Sequence, residues 1–213
     1  MSRALRQARR LRLGAELGER ATDELSPLSS YRGQTTPAAG LHPAAVLVPL
    51  RQGPSGLEVL FTLRPANLST HGGQVSFPGG RVEPQDGDRW DTALRELEEE
   101  IGVPPSAVER LAVIDEYRTI THYHVTPCVG LISPSATLTP DPREVEEVFS
   151  VPLATLRDPK CVRTMRSTRA GHSERIWFYQ TTPHMVWGAT AAMLTNLLMV
   201  LNPAASDPVS IRE

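Results

Sequence analysis

Apolar residues along this chain come in short runs separated by Pro, Gly and polar clusters, with one helical stripe mid-chain and one long run near the end. Residues 44–50, AAVLVPL, are apolar almost throughout and bounded by Pro and Gly, which predicts a buried strand. Residues 56–64, GLEVLFTLR, have strand composition as well, and RQGPSG between the two reads as a hairpin turn. The polar stretch ANLSTHGGQ then leads into a short strand, VSFPGG. Further on, Trp90, Leu94, Leu97 and Ile101 fall on one side of a helix at about 100° per residue, a stripe that would anchor it to a sheet. Asp88 or Asp91 is placed to cap its start, and Gly102 followed by Pro104 ends it. Two more strands are predicted in VERLAVIDEYRT and YHVTPCVGLI, and a turn, a strand and a short helix in PREVEEVFSVPLATLRD. RIWFYQ reads as a further strand and residues 186–201 as the last long helix. Strands outnumber helices, so the expectation is an α/β (α+β) chain built on a mixed sheet with helices packed on its faces.

A length of 213 residues suits one domain with a small extension, and 40% hydrophobic residues suffice for its core. The net charge of -2 predicts neither a nucleic-acid nor a membrane surface, so an anionic ligand must be held locally. Cys128 and Cys161 show no metal-ligand spacing and no disulfide framework, which points to a reducing, cytoplasmic setting. The first fifteen residues carry five arginines and no acid, and read as a surface helix, with an organelle transit peptide as the alternative. Glu16, Glu19 and Glu24 argue against a long transit segment. Residues 26–43 mix Ser, Pro, Gly and Thr like a linker. The chain therefore divides into an extension and linker over 1–41, a domain over 42–203 and a tail over 204–213. The last apolar run contains Thr190, Thr195 and Asn196 and reads as a buried helix rather than a membrane span. That helix and the N-terminal extension are each a surface on which a homodimer could be built.

The central helix carries Glu96, Glu98, Glu99 and Glu100 within five positions. Like charges so close cost a helix a few tenths of a kcal/mol per pair, roughly, and a charge run is most often a solvated face. Two features speak for more. No lysine stands one turn away to balance the acids, and Gly79-Gly80 lies just upstream, where backbone can approach closely. Glu96, Glu99 and Glu100 are related by three and four residues and share a side away from the apolar stripe. Three carboxylates gathered there suit a hard divalent cation such as Mg²⁺, which takes oxygen ligands and bridges to phosphates. Arg95, one turn before Glu99, can orient it.

From Gly80 onward the stretch resembles the Nudix box, G-x5-E-x7-R-E-U-x-E-E-x-G-U with U aliphatic. Arg95, Glu96, Leu97, Glu99, Glu100, Gly102 and Val103 match its second half in full. The first half departs: Asp86 stands where the box has Glu, and Arg95 comes one residue late, as a one-residue loop insertion explains. The same variation is familiar in the coenzyme A diphosphatases. Their upstream signature, roughly L-L-T-x-T-(S/A)-x3-R-x3-G-x3-F-P-G-G, is similar to LFTLRPANLSTHGGQVSFPGG, residues 60–80. Leu60, Thr62, Gly73, Phe77, Pro78, Gly79 and Gly80 are kept; Arg64, Pro65 and Ser69 depart, the last where the signature has arginine. The likeness spans about residues 42–201.

The resemblance implies a Nudix fold, a mixed sheet sandwiched between helices, over residues 42–203. It implies hydrolysis of a nucleoside diphosphate derivative with Mg²⁺ or Mn²⁺, held by Glu96, Glu100, the Gly80 carbonyl and Glu99. Glu99 is alternatively the base that activates water, and Arg95 its orienting partner. Glu147, from the second acidic cluster Glu144, Glu146 and Glu147, is a further candidate base. Asp86 and Glu83 are expected to shape the loop before the helix. Arg64, Ser69 and His71 are the candidates for touching substrate, a small nucleotide like coenzyme A. Loss of the arginine at Ser69 leaves other substrates open: NADH, ADP-ribose, a nucleotide sugar or a dinucleoside polyphosphate. A non-catalytic nucleotide-binding module is the reading from a different class, and the intact box argues against it. His122 and His124 alternate as in a strand, so both rings could face one side, but no further ligand stands at zinc spacing. Trp187 is expected in the core rather than as an adenine platform.

Overall fold

The computed structural model describes residues 40–68, 71–169 and 172–201. The expected N-terminal helix, Ser69 and the C-terminal tail lie outside those residues. Strands β1 (His42–Gly53) and β2 (Gly56–Leu63) form the predicted hairpin. Gly56, at φ +109°, takes the turn conformation that favours glycine.

The two arms pair from Leu50 and Val59 up to the turn, and beyond that they part. Residues 75–81 run into the gap. Strand β3 (Val75–Ser76) pairs with β2, and β4 (Gly79–Arg81) pairs with β1. Between them the Pro78 carbonyl accepts the Leu47 amide at 2.9 Å. One passage of chain is thus wedged between two strands of a hairpin, with its backbone groups satisfied on both sides. Phe77 holds the wedge from below, stacked on Phe61 with ring centroids 5.2 Å apart.

On its other edge β1 runs parallel to β7 (Tyr123–Ile132). Strand β7 pairs in turn with β5 (Val108–Val113) and β6 (Tyr117–Arg118), and β8 (Glu147–Pro152) closes the outer edge of β2. The single strand expected over 108–119 is therefore two, separated by a bend after a register shift between Arg110 and Ala112.

Both faces of this eight-stranded mixed sheet are covered, which is why its central strands read as continuous apolar runs. Helix α1 (Arg89–Ile101) lies on one face, packing Leu94, Leu97 and Ile101 against Ala45, Leu47, Leu60 and Cys128. The opposite face, with Val48, Val59, Phe61 and Val129, is covered by helix α3 (Gly188–Leu201) and a second, three-stranded sheet. That sheet comprises β9 (Val162–Arg169), β10 (His172–Tyr179) and β11 (Val186–Trp187); a one-turn helix, α2 (Leu153–Leu156), precedes it. Thr190 Oγ1 donates to the Val75 carbonyl at 3.0 Å, tying α3 to the wedge. No helix among the described residues is long and apolar enough to cross a membrane.

The sequence expectation fails in two places here. The last helix begins at Gly188, not 186, because Gly188 takes φ +65° and breaks the run. Trp187 then belongs to a strand, where Val186 faces the core and Trp187 faces out. It is 42% exposed and stacked on Phe178, not buried.

Candidate active site

Helix α1 starts at Asp88, whose carboxylate accepts the Asp91 amide at 2.9 Å, and stops at Gly102 in the left-handed conformation. The apolar stripe on the sheet fixes the helix rotation and so decides where each glutamate points. Glu100 points inward and is 2% exposed. Its Oε1 accepts the Gly79 amide at 3.2 Å, while Oε2 is shut off from water without a hydrogen-bond partner. Burial pushes its carboxyl up to about 8, with the charges of Glu96 and Glu144 adding to the rise and the Gly79 amide and Arg64 opposing it. Glu96 lies directly over Gly80, and burial raises its pKa too, against the pull of Arg95.

Arg95 is the hub of the outer half of the site. Its Nε and Nη2 reach Asp86, Nη1 reaches both Glu96 and Glu99 at 2.9 Å, and Nη2 also donates to the Arg81 carbonyl at 3.0 Å. Asp86 also accepts the Glu83 amide and the Thr92 hydroxyl, and the Arg95 hydrogen bonds hold its carboxyl down to about 2. Glu99 is half exposed.

Arg95 Nη1 holds the Glu96 and Glu99 carboxylates at 2.9 Å each, while Glu100 is buried, and among the described residues no three His, Cys, Asp or Glu side chains form a ready metal-binding group. What remains is a desolvated pair, Glu96 and Glu100, beside the Gly79-Gly80 backbone, with Glu144 near enough for both to feel its charge. Two carboxyl groups withdrawn from water, one oxygen of them without a hydrogen-bond partner, form a donor set whose charged form a cation would stabilise. Hard carboxylate oxygens suit Mg²⁺ or Mn²⁺, and the residues fit such an ion.

The two glycines do different work. A Cβ on Gly79 would come within 2.5 Å of the Ala45 carbonyl and 2.6 Å of the Val46 Cα, so the wedge seats only with glycine there. A Cβ on Gly80 would meet the Glu96 carboxylate first, at 2.2 Å. Gly80→Ala is thus expected to keep the fold, displace Glu96 and weaken Mn²⁺ binding about ten- to a hundredfold. Gly79→Ala is expected to cost about 1–3 kcal/mol in urea unfolding. Equal destabilisation by both would refute this division.

The other candidates scatter. In β8, Val148 packs toward α1 and Phe149 toward the opposite core, so alternation puts Glu147 on the face away from Glu96 and Glu100. There it is bonded to His184 at 2.7 Å. Glu144, held on a turn whose Asp141 amide donates to the Glu100 carbonyl, is the acidic residue of that cluster whose charge reaches the pair. Nothing in the run EVEE distinguishes the two; the strand register does. His71 is exposed at φ +58°, its ring bonded to Gln74 at 2.9 Å. His122 sits in a turn at φ +64°, whereas His124 is buried against Glu116 at 2.9 Å, so the two rings share no side. Arg64 follows β2 on the α1 side of the sheet.

The family model described as NUDIX domain matches residues 40–169. The uncharacterized Nudix hydrolase NudL of Escherichia coli K12 is 40% identical over 157 residues, 73% of this chain and 81% of that protein. NudL of Photorhabdus laumondii is 38% identical over 154 residues, 72% and 82% of the two chains. Among solved structures, the Nudix hydrolase RenU of M. smegmatis aligns at TM-score 0.47 and 24% identity, over 57% of this chain and 76% of its own. The matched domain and the two NudL sequences agree, and the glutamate pair over a Gly-Gly wedge fits them: the chain belongs to the Nudix family, hydrolases of nucleoside diphosphate derivatives that use divalent metal ions.

Proposed function

We propose that this Nudix hydrolase is a coenzyme A diphosphatase, cleaving coenzyme A or its derivatives to 3',5'-ADP and (acyl-)4'-phosphopantetheine. The observation that carries the reading is the signature over residues 60–80, which in the fold is the wedge and the loop that leads to it. Several of its residues have structural duties: Phe77 packs in the core, Thr62 bonds Ser76, and Gly79 permits the wedge. The loop between Arg64 and Gln74 is pinned at its base by paired backbone bonds, and it leaves the sheet beside Glu100. A substrate-selecting element is well placed there.

Glu96, Glu100 and the Gly80 carbonyl would hold Mg²⁺ or Mn²⁺. When bound, such an ion neutralises the pyrophosphate, polarises a phosphoryl oxygen and lowers the pKa of a water. Glu99, half exposed and steered by Arg95, is the carboxylate available to take a proton from the attacking water. Water oxygen then bonds to one phosphorus and the anhydride bond breaks.

Incubation with coenzyme A and Mg²⁺ or Mn²⁺, read by mass, is expected to yield 3',5'-ADP and 4'-phosphopantetheine. Absence of both products rejects the substrate assignment. Ser69, where the signature has arginine, favours a second reading: a Nudix diphosphatase on NADH, ADP-ribose, a nucleotide sugar or a dinucleoside polyphosphate. Parallel turnover on that panel decides between them.

A further inference from the structure

We infer that the outer face of the three-stranded sheet is a docking surface for an anionic lipid bilayer. In β10, Trp177 and Tyr179 are buried in the core, so alternation turns Ile176 and Phe178 outward. Their cross-strand partners turn the same way: Met165 lies opposite Ile176, and Arg163 and Trp187 flank Phe178. Met165, Trp187 and Met185, which leads into β11, are each about half exposed. They are three of the five exposed large apolar side chains among the described residues, so apolar exposure is gathered here and not scattered.

Charge decides the occupant. The overall charge of -2 conceals a basic strip: residues 157–166 carry Arg157, Lys160, Arg163 and Arg166 against the single acid Asp158. All four cations are exposed, and no carboxylate among the described residues pairs with them. Arg163 Nη1 donates to the Lys160 and Val162 carbonyls at 3.1 and 2.8 Å, neutral partners that hold the guanidinium in place and leave its charge whole. Such a strip repels a second copy of itself. An anionic bilayer matches both halves of the face, with phosphate headgroups for the cations and an apolar layer for Trp187 and the methionines. Tryptophan is enriched at that boundary, and each Lys or Arg near an anionic leaflet adds to the attraction. A nucleic acid would ask for rings on which bases stack, and two of the three half-exposed side chains here are methionines.

The assignment does not depend on which nucleotide is cleaved, so the test needs no substrate. The full chain is expected to sediment at low salt with vesicles made of equal parts phosphatidylcholine and phosphatidylglycerol. It should stay in solution with phosphatidylcholine alone and be released from the anionic vesicles by high salt. Met165→Ser and Trp187→Ser should each weaken binding roughly tenfold, the loss of one apolar side chain from the bilayer. Lys160→Gln and Arg166→Gln should each weaken it about fivefold. Circular dichroism checks every variant; should Trp187→Ser fail to fold, Met165→Ser, whose side chain is half in solvent, carries the apolar half of the test. Binding that survives the apolar substitutions comes from charge alone, the five arginines of residues 1–15 included, and overturns the proposal. Equal binding to neutral vesicles, binding to neither kind, or a light-scattering mass of two copies that Trp187→Ser halves does the same. Retention on polyglutamate with none on vesicles makes the partner an acidic protein and also overturns it.

Discussion

Replacing Glu100 by Gln is expected to give a protein that folds as well as the wild type, or better, and hydrolyses substrate at least roughly 10²–10³-fold more slowly. Two effects of one substitution oppose each other. Without metal, Glu100 is a carboxyl in the core with one oxygen unpaired and its ionisation disfavoured by burial, which costs stability. Glutamine keeps an acceptor for the Gly79 amide and cannot ionise, so the metal-free melting temperature holds or rises. With metal, the wild type gains about 2.7 kcal/mol when the ion is present at a hundred times its dissociation constant, and the variant, lacking the ligand, gains little. Thermal unfolding with and without Mn²⁺ reads both effects. A Glu100→Gln protein still stabilised by Mn²⁺ as strongly as the wild type would remove Glu100 from the site.

Glu99→Gln is the second large effect, of a different kind. Glu99 lies half in solvent, and its Arg95 pair is of the exposed sort that contributes about 0–1 kcal/mol. Folding should hardly change, and so should Mn²⁺ affinity if Glu96 and Glu100 are the principal ligands. Turnover should nevertheless fall about 10²–10⁴-fold, the usual size of a lost general base. The pattern to look for is a drop in kcat with KM nearly constant. If Mn²⁺ affinity falls in step with kcat, Glu99 is a ligand instead. Comparing the two glutamines separates the residue that holds the ion from the one that handles the proton.

The helix and its box were legible because α1 is written in one uninterrupted stretch: the stripe Leu94, Leu97 and Ile101, the Asp88 cap and the Gly102 stop all lie within fifteen residues and depend on local geometry alone. The β1–β2 hairpin was legible for the same reason. What the sequence hid depends on partners far along the chain. Strand β9, VRTMRSTR, has no apolar alternation to announce it, because it is an edge strand with Arg163, Met165 and Arg166 exposed. Strand β11 was absorbed into the apolar run of α3, since a two-residue strand has no period of its own. Within the site, the spacing of Glu96, Glu99 and Glu100 shows that they share a side of a helix. It does not show that Arg95 reaches back to Asp86 and holds Glu96 and Glu99 on one guanidinium nitrogen. Likewise, Glu144 and Glu147 are interchangeable in the sequence, and only the β8 register tells them apart.

The wedge has a consequence for how the protein is made. Helix α1 and the Gly79-Gly80 turn leave the ribosome together, but the floor beneath them is β1, and β1 is held on its far edge by β7, about eighty residues later at the Ala44–Val125 pair. A nascent chain that has not yet released β7 carries every catalytic carboxylate and has nowhere to seat them. Competence to attack cellular nucleotides is withheld until synthesis is well past the midpoint, and a fragment cut short before β7 should be inert however complete its motif.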